Sequence, residues 1–223
     1  MNEKEKRLTA LKNTLGGELC PICTLRSRDE FDLLCKWVGK SGLKDGATKE
    51  RTRLLNSNGF CNYHSWELSK INSMYENAVI SADLMKKIKG ICALIKESKS
   101  IIGRLKDYYN SVACPVCVDL KELESAYLGE LINLLDNNEN RVKYAQGAGL
   151  CMPHLILLAE QARSDSLAKF LLKTEVSQLD KISKDAISLV NKRDPPLSWE
   201  QTEAEKDSWY VAFEKLTGRR GFI

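Results

Sequence analysis

Cys20-Pro21-Ile22-Cys23 is followed, after 37 intervening residues, by Cys61 in the stretch Gly59-Phe60-Cys61-Asn62-Tyr63-His64. The same wording returns as Cys114-Pro115-Val116-Cys117 and, after 33 intervening residues, Cys151 in Gly149-Leu150-Cys151-Met152-Pro153-His154. Six of the eight cysteines and both histidines of the chain fall into this scheme. A thiol pair two residues apart, joined by a distant Cys-x-x-His, is the ligand set of a closed tetrahedral zinc site of three sulfurs and one imidazole. Read in order along the chain, the first site is expected from Cys20, Cys23, Cys61 and His64. The second is expected from Cys114, Cys117, Cys151 and His154. Two Zn²⁺ ions follow as the expected cofactors, with an iron–sulfur cluster held by three cysteines and a histidine as the alternative.

Around these ligands the spacing is helical. Leu8, Leu11 and Leu15 lie at helical intervals before Gly16-Gly17, and Phe31, Leu34, Cys35 and Val38 mark a helix over 24–38. Pro21 suits the first turn of that helix, where its missing N–H has no partner to lose. A short helix is expected over about 47–55, then a long one of some thirty residues from Cys61 to Ile95, and a further piece over 101–109. The second half repeats the plan, with a helix over 118–135, an ambiguous stretch over 141–146 and a long helix from His154 to about Val190. The offset between the halves is 94 residues at the Cys pairs and 90 at the Cys-x-x-His sets, so the chain contains an internal duplication. The expected fold is mainly α, a helical bundle of two tandem, duplicated units each clamped by a Cys₃His metal site. The boundaries are 1–110 for the first unit, 111–193 for the second, and 194–223 for a linker and docking helix. In that last segment Trp209, Ala212, Phe213 and Leu216 form the apolar side expected to dock back on the bundle.

Composition narrows the function. Apolar content of 43% and charge of 29% are those of an ordinary globular protein. The N-terminal residues 1–12 are charged and carry no apolar signal segment, and no run is long enough to span a bilayer, so a cytoplasmic location is expected. In a reducing compartment, thiols at this spacing point to metal rather than disulfides. Residues 1–110 carry a net charge of +7 and residues 111–223 a net −3. The basic residues alternate with acidic ones, so nucleic-acid binding stands as a minor alternative to a protein partner. Four ligands per site leave no open coordination position, and there is no third histidine to act as a base, so catalysis is not expected. Glu67, one turn after His64, reads as a helix-surface or supporting residue. Cys35 and Cys92 have no counterpart in the other copy and read as small buried hydrophobes.

The paired Cys-Pro-x-Cys and Gly-(Phe/Leu)-Cys-x-x-His blocks resemble an uncharacterised prokaryotic family, a domain of unknown function with two such blocks. That family also has a C-terminal segment similar to Trp209-Tyr-Val-Ala212-Phe213-Glu214-Lys215-Leu216-Thr-Gly218. The resemblance covers about 20–218 and supports the eight ligands. With no activity to carry over, the expected role is a scaffold, adaptor or accessory subunit that presents helices to a protein partner.

Overall fold

The structure is a computed structural model and describes residues 2–40, 48–95, 100–161 and 164–219. Among these, eleven α-helices and one 3₁₀ turn account for the regular structure, with no strand. The helices are α1 Glu3–Thr14, α2 Pro21–Cys35, α3 Lys49–Asn56, α4 Asn62–Ile71, α5 Met74–Ile95, α6 Ile101–Asn110, α7 Pro115–Leu134, α8 Asn138–Gln146, α9 Met152–Gln161, α10 Asp165–Asn191 and α11 Glu203–Thr217. The mainly α, duplicated architecture is as expected from the sequence.

Both long helices expected after the histidines are interrupted. Between α4 and α5 the backbone at Asn72 turns extended (φ −96°, ψ 155°). Ser73 then accepts a hydrogen bond from the Glu76 N–H at 3.2 Å. Ser73-Met-Tyr-Glu76 is a serine followed three residues later by a glutamate, the signature of a helix start, and it outweighs the continuous apolar rhythm. In the second copy α9 ends at Gln161, and Ser164 caps α10 by accepting from the Leu167 N–H. A polar side chain that satisfies an orphan N–H restarts the helix in both places.

The chain forms two compact units, and they do not follow the repeat. The first joins residues 1–27 to 124–223, and the second is residues 28–123. The chain leaves the first unit inside α2 and returns inside α7. The core of the second unit is Leu33, Leu34, Trp37, Leu54, Leu68, Ile80, Val116 and Leu120 around Cys114, with Phe60 edge-on to Trp37 at 5.1 Å. In the first unit Leu11, Leu15, Tyr127, Leu131, Tyr144, Leu150 and Leu158 are all but fully buried.

Two face assignments differ from the periodicity. In α2 the buried side is Glu30, Leu33 and Leu34, continued by Trp37 just past its end, while Phe31 and Cys35 are exposed. The stripe at 30, 34 and 37 is also helical, and it wins because Glu30 has a buried partner, described below. Cys92 is exposed as well, so neither spare cysteine is a core residue. In α11 the expected apolar side faces outward, with Trp209, Phe213 and Leu216 55–60% exposed, while Glu205, Ser208 and Lys215 are buried. The helix does pack on α10 and α9, but through polar anchors. Lys215 pairs with buried Glu175, and Lys192 pairs with Glu205 at 2.8 Å.

Candidate metal centres

All eight ligand candidates gather into two groups of four, but the partners are crossed between the copies. One group is Cys20, Cys23, Cys151 and His154, and the other is Cys61, His64, Cys114 and Cys117. Each thiol pair therefore meets the Cys-x-x-His of the other repeat, which corrects the in-order pairing expected from the sequence. Each group lies inside one compact unit, and the first of these units joins the two ends of the chain.

Local chemistry prepares each corner. Cys20, Cys61, Cys114 and Cys151 each sit immediately before a helix, with the second ligand of the pair in the first turn. The Cys20 carbonyl accepts from the Thr24 N–H at 3.0 Å and the Cys151 carbonyl from the Leu155 N–H at 2.8 Å, so both residues open their helices. The Cys61 sulfur itself caps α4, accepting from the His64 N–H at 3.5 Å. Four helix N-termini thus point their partial positive charge at thiol groups, which favours thiolate. Gly149 before Cys151 has φ +67°, and a Cβ there would lie 2.5 Å from Glu175 Oε1. That oxygen accepts from the Leu150 N–H at 2.8 Å and the Tyr144 hydroxyl at 2.7 Å. Only a glycine lets the carboxylate come so near the backbone that carries Cys151.

The interatomic distances are those of one ion's coordination shell. In the first group His154 Nδ1 lies 3.5, 3.4 and 3.0 Å from the sulfurs of Cys20, Cys23 and Cys151, and the Cys23 and Cys151 sulfurs are 3.6 Å apart. In the second, His64 Nδ1 lies 3.2, 3.4 and 3.3 Å from Cys61, Cys114 and Cys117, and Cys61 and Cys117 are separated by 3.7 Å. A tetrahedron with bonds of about 2.3 Å to sulfur and about 2.0–2.1 Å to nitrogen has edges of about 3.8 Å (S to S) and about 3.5 Å (S to N). A disulfide would need about 2.05 Å, so the sulfurs are not joined as cystines.

Two residues that the sequence reading passed over complete the arrangement. Glu30 Oε1 lies 3.0 Å from His64 Nε2, and Glu124 Oε1 lies 2.8 Å from His154 Nε2. A carboxylate on the far ring nitrogen fixes the imidazole so that Nδ1 faces the ligand sulfurs. Glu30 follows Cys23 by seven residues and Glu124 follows Cys117 by seven, so the signal was present as a shared Cys-Pro-x-Cys-x₆-Glu. Each of the two helices supplies thiols to one group and, two turns on, the carboxylate that orients the histidine of the other. Arg26 Nε stands 3.5 Å from Glu124 Oε1. Glu67 belongs to neither group and pairs with Lys70.

The electrostatics are those of thiolate beside imidazolium. Burial works to lower the His64 pKa, but hydrogen bonds to Cys114 and Glu30 outweigh it and raise it to about 10. Burial likewise opposes protonation of His154, and contacts with Cys20, Cys23 and Glu124 carry it up to about 11. The hydrogen bond from Cys117, with that from His64, holds Cys114 down at about 3 against the cost of burial. Cys20 is also held well below its usual value, where hydrogen bonds from Cys151, Cys23 and His154 overcome burial. The proton is pushed onto the neighbours: hydrogen bonding to Cys114 raises Cys117, and hydrogen bonding to Cys20 and Cys23 raises Cys151.

The end of α11 reaches the first group. A Cβ on Gly218 would stand 3.8 Å from the Cys151 sulfur and 3.9 Å from that of Cys23. Lys215, one turn earlier, donates to the Ala148 carbonyl at 2.7 Å and pairs with Glu175. The basic residues of 1–110 are partly neutralised in place, Arg51 by Asp83 and Arg53 by Asp119. Among the described residues no helix is long and apolar enough to cross a membrane.

The chain is 24% identical over 205 residues to an "Uncharacterized 23.9 kDa protein in xynA 3'region" of Caldicellulosiruptor sp. (strain Rt8B.4), covering 89% of this chain and 95% of that one. No solved structure matches it. Residues 14–221, which take in all eight ligand candidates and the Lys215–Gly218 end of α11, match a family of unknown function, DUF6062, and the chain belongs to that family.

Proposed function

We propose that the chain is a zinc-binding helical scaffold whose two Cys₃His sites, Cys20/Cys23/Cys151/His154 and Cys61/His64/Cys114/Cys117, are structural and hold its helices in place for a protein partner. The observation that carries this reading is the size of the two groups. The distances between ligand atoms given above run from 3.0 to 3.7 Å. Two ligands on one ion with bonds of about 2.3 Å stand about 3.8 Å apart at the tetrahedral angle. An iron–sulfur cluster sets several irons and bridging sulfides between its ligands, and a group this small has room for one ion only. The soft thiolates and single imidazole suit zinc, and the carboxylate behind each histidine is the usual support of a zinc ligand. The exposed Trp209, Phe213 and Leu216 of α11 support the interaction role, since large apolar side chains left outside by a helix that docks through polar anchors offer a surface to a protein.

The test is metal analysis of protein purified without oxygen, with its absorption spectrum. Two zinc ions per chain and no visible colour are expected, with loss of helix when a strong chelator removes them. Iron with acid-labile sulfide in a coloured protein would overturn the zinc reading.

A further inference from the structure

The two groups have the same ligands but not the same cover. At the ligand atoms all four members of the Cys20 group are buried, whereas Cys61 and Cys117 of the other are partly open. As whole residues Cys117 is exposed and Cys20 is half-buried like Cys61. The difference has a visible source within the first unit, where Gly218 sits over the Cys23 and Cys151 sulfurs and Lys215 is pinned to Glu175 and Ala148. In the second unit the glycine equivalent to Gly149 is Gly59, where an added Cβ would meet the Leu84 side chain at 3.5 Å in place of a carboxylate. The two open sulfurs are also neighbours, 3.7 Å apart, while Cys114 and His64 lie buried behind them.

We propose that Cys61 and Cys117 are a modification site for hydrogen peroxide, forming a disulfide that dismantles their metal group, while the Cys20 group beneath α11 is spared. The inference rests on the metal-binding reading above, since a metal-bound sulfur is held as thiolate, the form that reacts. The Cys117 sulfur attacks one peroxide oxygen, the O–O bond breaks, and the sulfur becomes a sulfenic acid while the departing hydroxide takes a proton. The Cys61 thiolate then attacks the Cys117 sulfur, the S–S bond forms, and the second hydroxide leaves and is protonated. Two electrons pass from the sulfurs to the peroxide, two protons are taken up, and the products are one disulfide and two waters. Cys114 and His64 alone cannot complete a tetrahedral site, so one metal ion is lost per chain.

The experiment uses the full chain. Zinc is first counted, which tests the zinc reading by itself. Hydrogen peroxide is then added with a zinc indicator present, and disulfides are located by peptide mapping. One zinc released per chain, a Cys61–Cys117 disulfide, and recovery of the site after reduction are the expected results. The map reads that bond whatever metal the group holds, so its absence overturns the proposal even if the zinc count is two. Release of both ions together, or a first disulfide between Cys23 and Cys151, overturns it as well. Lys215→Met, which unpins α11, is expected to make the Cys23–Cys151 pair oxidisable. No change at that pair would remove α11 as the reason for the difference.

Discussion

The crossed pairing is open to a direct test with two double variants. Cys61→Ser with Cys114→Ser removes two ligands from one group and leaves the Cys20 group whole, so one tightly held zinc per chain is expected after dialysis against a chelator. Cys20→Ser with Cys61→Ser takes one ligand from each group and should leave none. If the repeats were clamped in sequence order, the two results would be exchanged. Stability gives an independent magnitude. The groups close separations of 50 residues between His64 and Cys114 and 128 between Cys23 and Cys151. By the chain-entropy relation used for disulfides, these closures are worth about 4 and about 5 kcal/mol, against about 4 for each of the shorter loops of an in-order arrangement. Chelator-dependent unfolding, followed by circular dichroism, should therefore show the first double variant keeping the larger of the two contributions. One zinc retained by Cys20→Ser/Cys61→Ser, and none by Cys61→Ser/Cys114→Ser, would refute the structure's ligand assignment.

Three further outcomes are expected. Glu124→Ala should weaken zinc at the Cys20 group by about 10–100-fold, and Glu30→Ala should do the same at the other group, each read by competition with a chromogenic chelator. Zinc must displace protons from His64 and Cys117 in one group and from His154 and Cys151 in the other, because all four are raised above their ordinary values. Affinity should thus fall as pH falls, by about 100-fold per pH unit per site for a two-proton displacement, and titration calorimetry in buffers of differing ionisation heat should count at least two protons per ion. Gly149→Ala combines a positive φ with a Cβ 2.5 Å from Glu175 Oε1. It should destabilise the protein by about 1–3 kcal/mol, or about 2–12 °C in Tm, with a loss below about 0.5 kcal/mol arguing against the close carboxylate.

The ligands and the helical class were legible because each has a local rule. Cys-x-x-Cys and Cys-x-x-His read at a fixed spacing, and Pro21 and Pro115 announce the helices they open. Pairing has no local rule: Cys23 is as free to meet Cys61 as Cys151 until the helices that carry them are packed. Glu30 and Glu124 were legible in principle, as acids at one shared offset from the thiol pairs, but an acidic residue on a helix is ordinary until its histidine is known. The break at Asn72-Ser73 was masked by an apolar rhythm that runs on through both helices. The orientation of α11 went the opposite way for a physical reason: Lys215 finds a buried carboxylate in Glu175, and a paired ion can outbid an aromatic stripe for the inner face.

Because the Cys61 group lies wholly between the halves of the other in sequence, the two clips also differ in when they can exist. On a ribosome adding about 5–20 residues per second, His154 is made about 2–7 s after Cys117. The inner four ligand candidates are therefore all made while Cys20 and Cys23 still wait for partners, so the group with the more open sulfurs is the first that can form on the nascent chain. The group beneath α11 can gather once His154 has been made, but its cover has to wait for Gly218, 64 residues later.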